Sequence, residues 1–211
     1  MSSVVPSPRT RALALVTGAA LSACGHLMHP VDHTAASRAV GRFQFAHLLF
    51  VVGSMLLLGG LPVVRRRLGG DAVAAVLVGC FSASTMLIAP LVSIELFASK
   101  HVDQATFDKI SDESAALGAV AMITMVAGAV GIGVLLWRRA ISRPIGAVLV
   151  ASGLMLLLVP GLPGEEGYWV IASLGAMNLA LAVLGLTMVG HQAWNMATVA
   201  APRSNATTMA S

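Results

Sequence analysis

The chain has 211 residues, of which 57% are hydrophobic and only 10% charged, with a mean hydropathy of +0.86. A soluble domain carries about 25% charged residues; this composition excludes a water-soluble globule and makes the bilayer the main solvent. The net charge of +4 does not point to nucleic acid, because the basic residues cluster between apolar runs as topology signals do, and two cysteines make no disulfide framework.

Six apolar runs are expected to cross the membrane as helices: 12–29, 43–64, 72–97, 115–137, 144–160 and 169–189. A span needs about 20 helical residues, and backbone polar groups left unpaired in lipid are too costly for irregular chain. The fold class is therefore an all-α six-span bundle. It leaves a short segment at 1–11 and a tail at 190–211 that is expected to be disordered toward its end.

The first run follows Arg9 and Arg11 and ends in LSACGHLMHPVDH (21–33), which holds Cys24 and three of the six histidines. LSAC (21–24) matches a bacterial lipobox, and cleavage there would leave a lipid-bearing Cys24 at the head of a five-span chain. His26, His29 and His33 stand at i, i+3 and i+7, one face of a continuous helix. Pro30 lacks the N–H that a helix needs and disfavours helical geometry at His29. The helix is thus expected to end near Met28, with 29–33 as a turn and Asp32 or Thr34 capping the second span. HPVDH (29–33) resembles part of the His/Asp/His signature of small nickel and cobalt permeases. The likeness covers five residues, and the spacing from the first histidine to the Asp-His pair differs; what it implies is a divalent-metal site among a handful of spans.

The second run carries His47 about one turn from its outer end, too deep to sit in water, where Gln44 or a backbone carbonyl would satisfy it. Gly53 and Ser54 follow at i+6 and i+7, so the stripe of His47 is expected to face another helix, with Leu49, Phe50 and Leu57 mainly on other faces. Pro62 and Arg65–Arg67 mark the far end. In the third run Cys80 reads as a core residue, Pro90 as a kink, and Glu95 lies near the outer end. The polar stretch 99–115 reads as a short outer helix or an extension of span four, with Asp103 as its N-cap. Span four holds AGAVGIG (127–133), a close-packing face. Pro144 sits where span five would start. GLPGEEG (161–167) reads as an outer turn before span six, where Asn178 is a mid-span amide and His191 and Trp194 mark the inner boundary.

Orientation follows from the basic residues. Of the 13, nine (Arg9, Arg11, Arg65, Arg66, Arg67, Arg138, Arg139, Arg143 and Arg203) fall on one side of this topology, and Arg38, Arg42, Lys100 and Lys109 on the other. The positive-inside rule then places both termini in the cytoplasm. The alanine-rich, loop-poor style points to a bacterial plasma membrane.

On that topology spans one to four each bring an imidazole or a carboxylate to the outer level: His26, His47, Glu95, and Glu113 beside Asp112. Ionisable groups inside a membrane are expensive and face the bundle interior. Two imidazoles with one or two carboxylates suit zinc, iron or manganese, and His26 with His47 is an alternative pair for a haem. No Gly-rich phosphate loop and no Ser/His/Asp order stands out, so no catalytic residues are named. The expected function is a small permease or a membrane-embedded ligand- or metal-binding protein. The alternatives are a structural or assembly subunit of a membrane complex, paired with another membrane protein or a second copy, and a metal-dependent membrane enzyme. The middle and inner thirds of the spans lack ionisable residues, which argues against a continuous ion path.

Overall fold

A computed structural model describes the backbone of residues 6–159 and 166–200 and the side chains of residues 6–159 and 167–190. Among the described residues every regular element is helical: α1 (Pro8–Met28), α2 (Ala35–Ala39), α3 (Gly41–Arg67), α4 (Ala72–His101), α5 (Gln104–Arg138), α6 (Arg143–Leu158) and α7 (Glu166–Ala200). Five of them (α1, α3, α4, α5 and α7) are long and apolar enough to cross a bilayer. The 16 residues of α6 reach about 24 Å at 1.5 Å per residue, short of a hydrocarbon core of about 30 Å. The chain is thus an all-α membrane protein. Most of the turn expected at 161–167, Pro160, Glu165, the side chains of His191 and Trp194 and the tail beyond 200 lie outside the described residues. The backbone of α7 stays helical past the end expected at 189.

Local chemistry sets the helix ends. Ser7 caps α1, its hydroxyl accepting the Thr10 N–H at 3.1 Å, with Pro8 opening the helix where its missing N–H costs nothing. Asp71 caps α4 through the Ala74 N–H at 2.8 Å, and Asp103 caps α5 through the Thr106 N–H at 2.8 Å. The stretch 99–115 therefore splits between the end of α4 and a long extension of α5. Two positive-φ glycines, Gly69 (+96°) and Gly70 (+71°), make the turn from α3 to α4. This turn is tied to the α5–α6 turn by Arg139, whose Nη2 donates to Asp71 Oδ2 at 2.6 Å.

The connection between the first two spans corrects one expectation. The helix ends at Met28 as Pro30 demands, but Thr34 does not cap the second span. It caps α2, a short helix between them, by accepting the Ser37 N–H at 3.3 Å. The long helix α3 then starts after Val40 with no side-chain cap.

The six longer helices pack in a closed cycle, each on two neighbours: α1 on α3 and α7, α4 on α3 and α5, and α6 on α5 and α7. Small residues allow the approach. A Cβ at Gly18 of α1 would stand 2.5 Å from the Leu57 nitrogen and 2.7 Å from the Gly53 oxygen of α3. Within 127–133, Gly128 backs onto Phe81 and Gly133 meets the Gly146 carbonyl. Large apolar side chains such as Leu27, Met55, Ile123 and Phe97 are exposed on the outside, as a lipid-facing surface requires.

Candidate metal centre

The sequence break at Pro30 builds the site. Because α1 stops at Met28, His29 adopts extended backbone (φ −69°, ψ 133°), and residues 29–33 fold over the start of α3. The His29 ring then lies 4.9 Å from the His47 ring and 5.1 Å from the His33 ring, centroid to centroid. Phe43, one turn before His47 on α3, stacks on His47 at 4.0 Å. Phe107, near the start of α5, meets His33 edge-on at 6.0 Å. The loop is held from the same side: Gln104 Nε2 donates to the His33 carbonyl at 3.2 Å, and its Oε1 accepts from Arg38 Nη2 at 2.8 Å. The Arg38 guanidinium covers the Phe107 ring at 4.1 Å.

Hydrogen bonds define which nitrogens are free. His29 Nδ1–H donates to the Pro30 carbonyl at 2.6 Å, which leaves Nε2 as an acceptor. His33 Nε2 faces it at 3.4 Å and donates to it when both rings are neutral. Burial, then repulsion from His47 and His33, pushes His29 down to about 4. Burial also lowers His33. Both rings are neutral at pH 7, the form that binds a metal.

His47 is fully buried. Its Nδ1–H donates to the Phe43 carbonyl at 2.8 Å, and its Nε2 lies 2.9 Å from Glu95 Oε2 on α4. A carbonyl only accepts, so Nδ1 carries a proton. One further proton must then sit between Nε2 and the carboxyl: either an imidazolium donates to a carboxylate, or a protonated Glu95 donates to a neutral ring. The pair is neutral overall in both forms, which suits its place between helices. Gln44 plays no part here; its Nε2 donates to the Arg38 carbonyl.

One ligand nitrogen from each of His29, His33 and His47 lies within 4.8 Å of the other two. Nitrogens bound at about 2.0–2.1 Å to a tetrahedral zinc are roughly 3.4 Å apart. The His29–His33 separation of 3.4 Å already matches that edge. The fixed Nδ1 of His29 and of His47, each on a backbone carbonyl, is the outer support that metal-binding imidazoles use.

The expected site residues separate. His47 and Glu95 meet directly. His26 packs its ring 4.5 Å from Phe50 and lines, with His29, His33 and Glu95, a cavity between the helices, yet it is not among the three converging imidazoles. Glu113 stands apart: its carboxylate is 70% exposed and faces Lys109 at 3.9 Å, one turn away on α5. His29 and His33, which were not among the expected site residues, converge with His47 instead. The signal for them is present in the sequence, three histidines within eight residues beside Pro30, but a helix that ends at Met28 does not by itself say where the turn after it goes. Phe50 and Leu57 are also corrected: both are buried on the same side of α3 as His47, not on other faces.

Comparison of the chain with protein-family models, with curated proteins and with solved structures finds no match.

Proposed function

We propose that the chain is a six-span plasma-membrane protein, with both termini cytoplasmic, that binds a divalent transition metal at its outer end through His29, His33 and His47. The observation that carries this reading is the convergence of three imidazole nitrogens within 4.8 Å. Imidazole suits zinc, copper, iron and nickel. Three protein ligands leave a fourth position for water or another ligand, and Glu95 stands beside it. Binding is favoured over conduction. Apart from His26, His29, His33 and Glu95 the cavity wall offers Ser22, Ser54, Thr85 and Asn178 but no further ionisable side chain among the described residues, so a permeating cation would find no charged station along the rest of it.

Zinc titration of chelator-treated protein, with metal counted by mass spectrometry, tests the reading. One zinc per chain is expected. His29→Ala/His33→Ala should weaken binding by about 100-fold or more, as loss of donors does. Glu113→Gln should leave it unchanged. A wild-type chain that holds no zinc at micromolar concentration, or a double variant that binds as well as wild type, overturns it.

A further inference from the structure

Below the histidines lies a partly open cavity of about 250 Å³ lined by α1, α3, α4, α5 and α7. His29, His33 and Glu95 form its wall at one end. On α4 the wall runs from Glu95 to Phe81, about 21 Å of helix at 1.5 Å per residue. Between these ends it is made by Phe50, Leu57, Ile88, Leu174 and Met177. Two of the four polar side chains at depth are turned back on their own helices: Thr85 Oγ1 donates to the Phe81 carbonyl at 2.9 Å, and Asn178 Nδ2 to the Leu174 carbonyl at 2.9 Å. A file of water needs two to four polar partners per molecule, and this wall offers few. Protein interiors pack to crystal density, so an apolar hollow of this size between helices leaves room for a guest.

We propose that the cavity is a binding site for an amphipathic small molecule, with a linear apolar body and one oxygen-donor head that completes the coordination of the metal. The size follows from volume: a cavity of about 150 Å³ takes a benzene-sized ligand, so this one takes a body of roughly ten carbon atoms. The head follows from continuity. His29 and His33 belong both to the cavity wall and to the converging nitrogens, so a molecule lying along the cavity presents its end to the metal. A carboxylate is the natural head, since a divalent cation held by three neutral imidazoles carries two positive charges and the single carboxylate of Glu95, beside His47, offsets only one. The identity of the head rests on the metal reading; the apolar body rests on the cavity alone.

The test uses the full chain in phosphatidylcholine vesicles and a ten-carbon alkyl carboxylate with a terminal diazirine, photolysed and mapped by peptide mass spectrometry. Zinc-loaded protein should be labelled at cavity residues such as Leu57, Ile88 and Leu174. Labelling there should fall by about tenfold, equivalent to 1.4 kcal/mol of affinity, on chelation and in each of the cavity-filling variants Leu174→Trp and Ile88→Phe. Label confined to lipid-facing Met55 and Ile123, or cavity label unchanged in both variants, overturns the inference. Zinc content of the same samples separates the two readings. A chain that holds zinc without cavity label overturns the ligand site alone. A chain without zinc that is still labelled in the cavity overturns the metal and the head, and keeps the apolar site. The filling variants are checked by retained zinc binding, with Leu174 and Ile88 on different helices so that one failure to fold does not decide the result.

Discussion

His47 is the residue whose chemistry is most constrained. A fully buried imidazole with two polar nitrogens requires Glu95 as its partner, because α3 itself supplies only the Phe43 carbonyl. Glu95→Leu removes that partner and leaves Nε2 unsatisfied, at a cost of about 1–3 kcal/mol. Replacing both residues by leucine removes the need along with the partner, so the double variant should be more stable than the sum of the two single losses. Apparent Tm values of the four chains in one detergent measure this. Simple additivity would show that the 2.9 Å contact couples nothing. The depth of His47 was legible, since it stands one turn inside an apolar run. Its partner was legible only as one of several acids at a similar level.

At the scale of elements, the contact between α1 and α3 decides whether the site can form, because these helices carry His26 and the 29–33 loop on one side and His47 on the other. Gly18 is one of the points of close approach, with Gly53 and Gly60 of α3, and a Cβ on it would meet the backbone of Leu57 and Gly53. Gly18→Ala should destabilise the bundle by about 1–3 kcal/mol through overpacking. Gly59→Ala, at a position with nothing within 4 Å of the new Cβ, should be neutral or gain up to about 1 kcal/mol from helix propensity. Detergent-resistance or Tm measurements on the two variants compare them directly. Equal behaviour would mean that the α1–α3 approach is not set by the glycine. The small residues were visible in the sequence, but every span contains some, and only packing shows which ones another backbone touches.

For the whole molecule, the distribution of arginine and lysine predicts which end of the bundle holds the histidines. The turns at Arg65–Gly70 and Arg138–Ser142 lie together at one end, joined by Arg139 and Asp71, and the 29–33 loop and the α4–α5 turn lie together at the other, joined by Arg38 and Gln104. Proposed cytoplasmic termini place the second end outside. A reporter active only in the periplasm should be active when inserted at Val102 and silent when fused after Arg203. The reverse result would turn the metal site toward the cytoplasm without changing its geometry.

Composition and run length alone determined that this is a helical membrane protein, because apolar surface on this scale has no place but lipid and unpaired backbone has no place within it. Several helix ends were also legible, since capping side chains and prolines act within a few residues: Pro30, Asp103 and Pro144 each do what local chemistry requires. Membership of the candidate site was decided by tertiary structure. Whether His29 and His33 scatter or converge depends on how the chain turns after Met28 and on what Phe43, Phe107 and Gln104 offer it, contacts that join residues tens of positions apart. Glu113 and Glu95 look alike in sequence, but rotation about the helix axis sends one to solvent and the other to His47. The cavity belongs wholly to this level, because a void is a property of how helices fail to fill the space between them, and no single helix carries it.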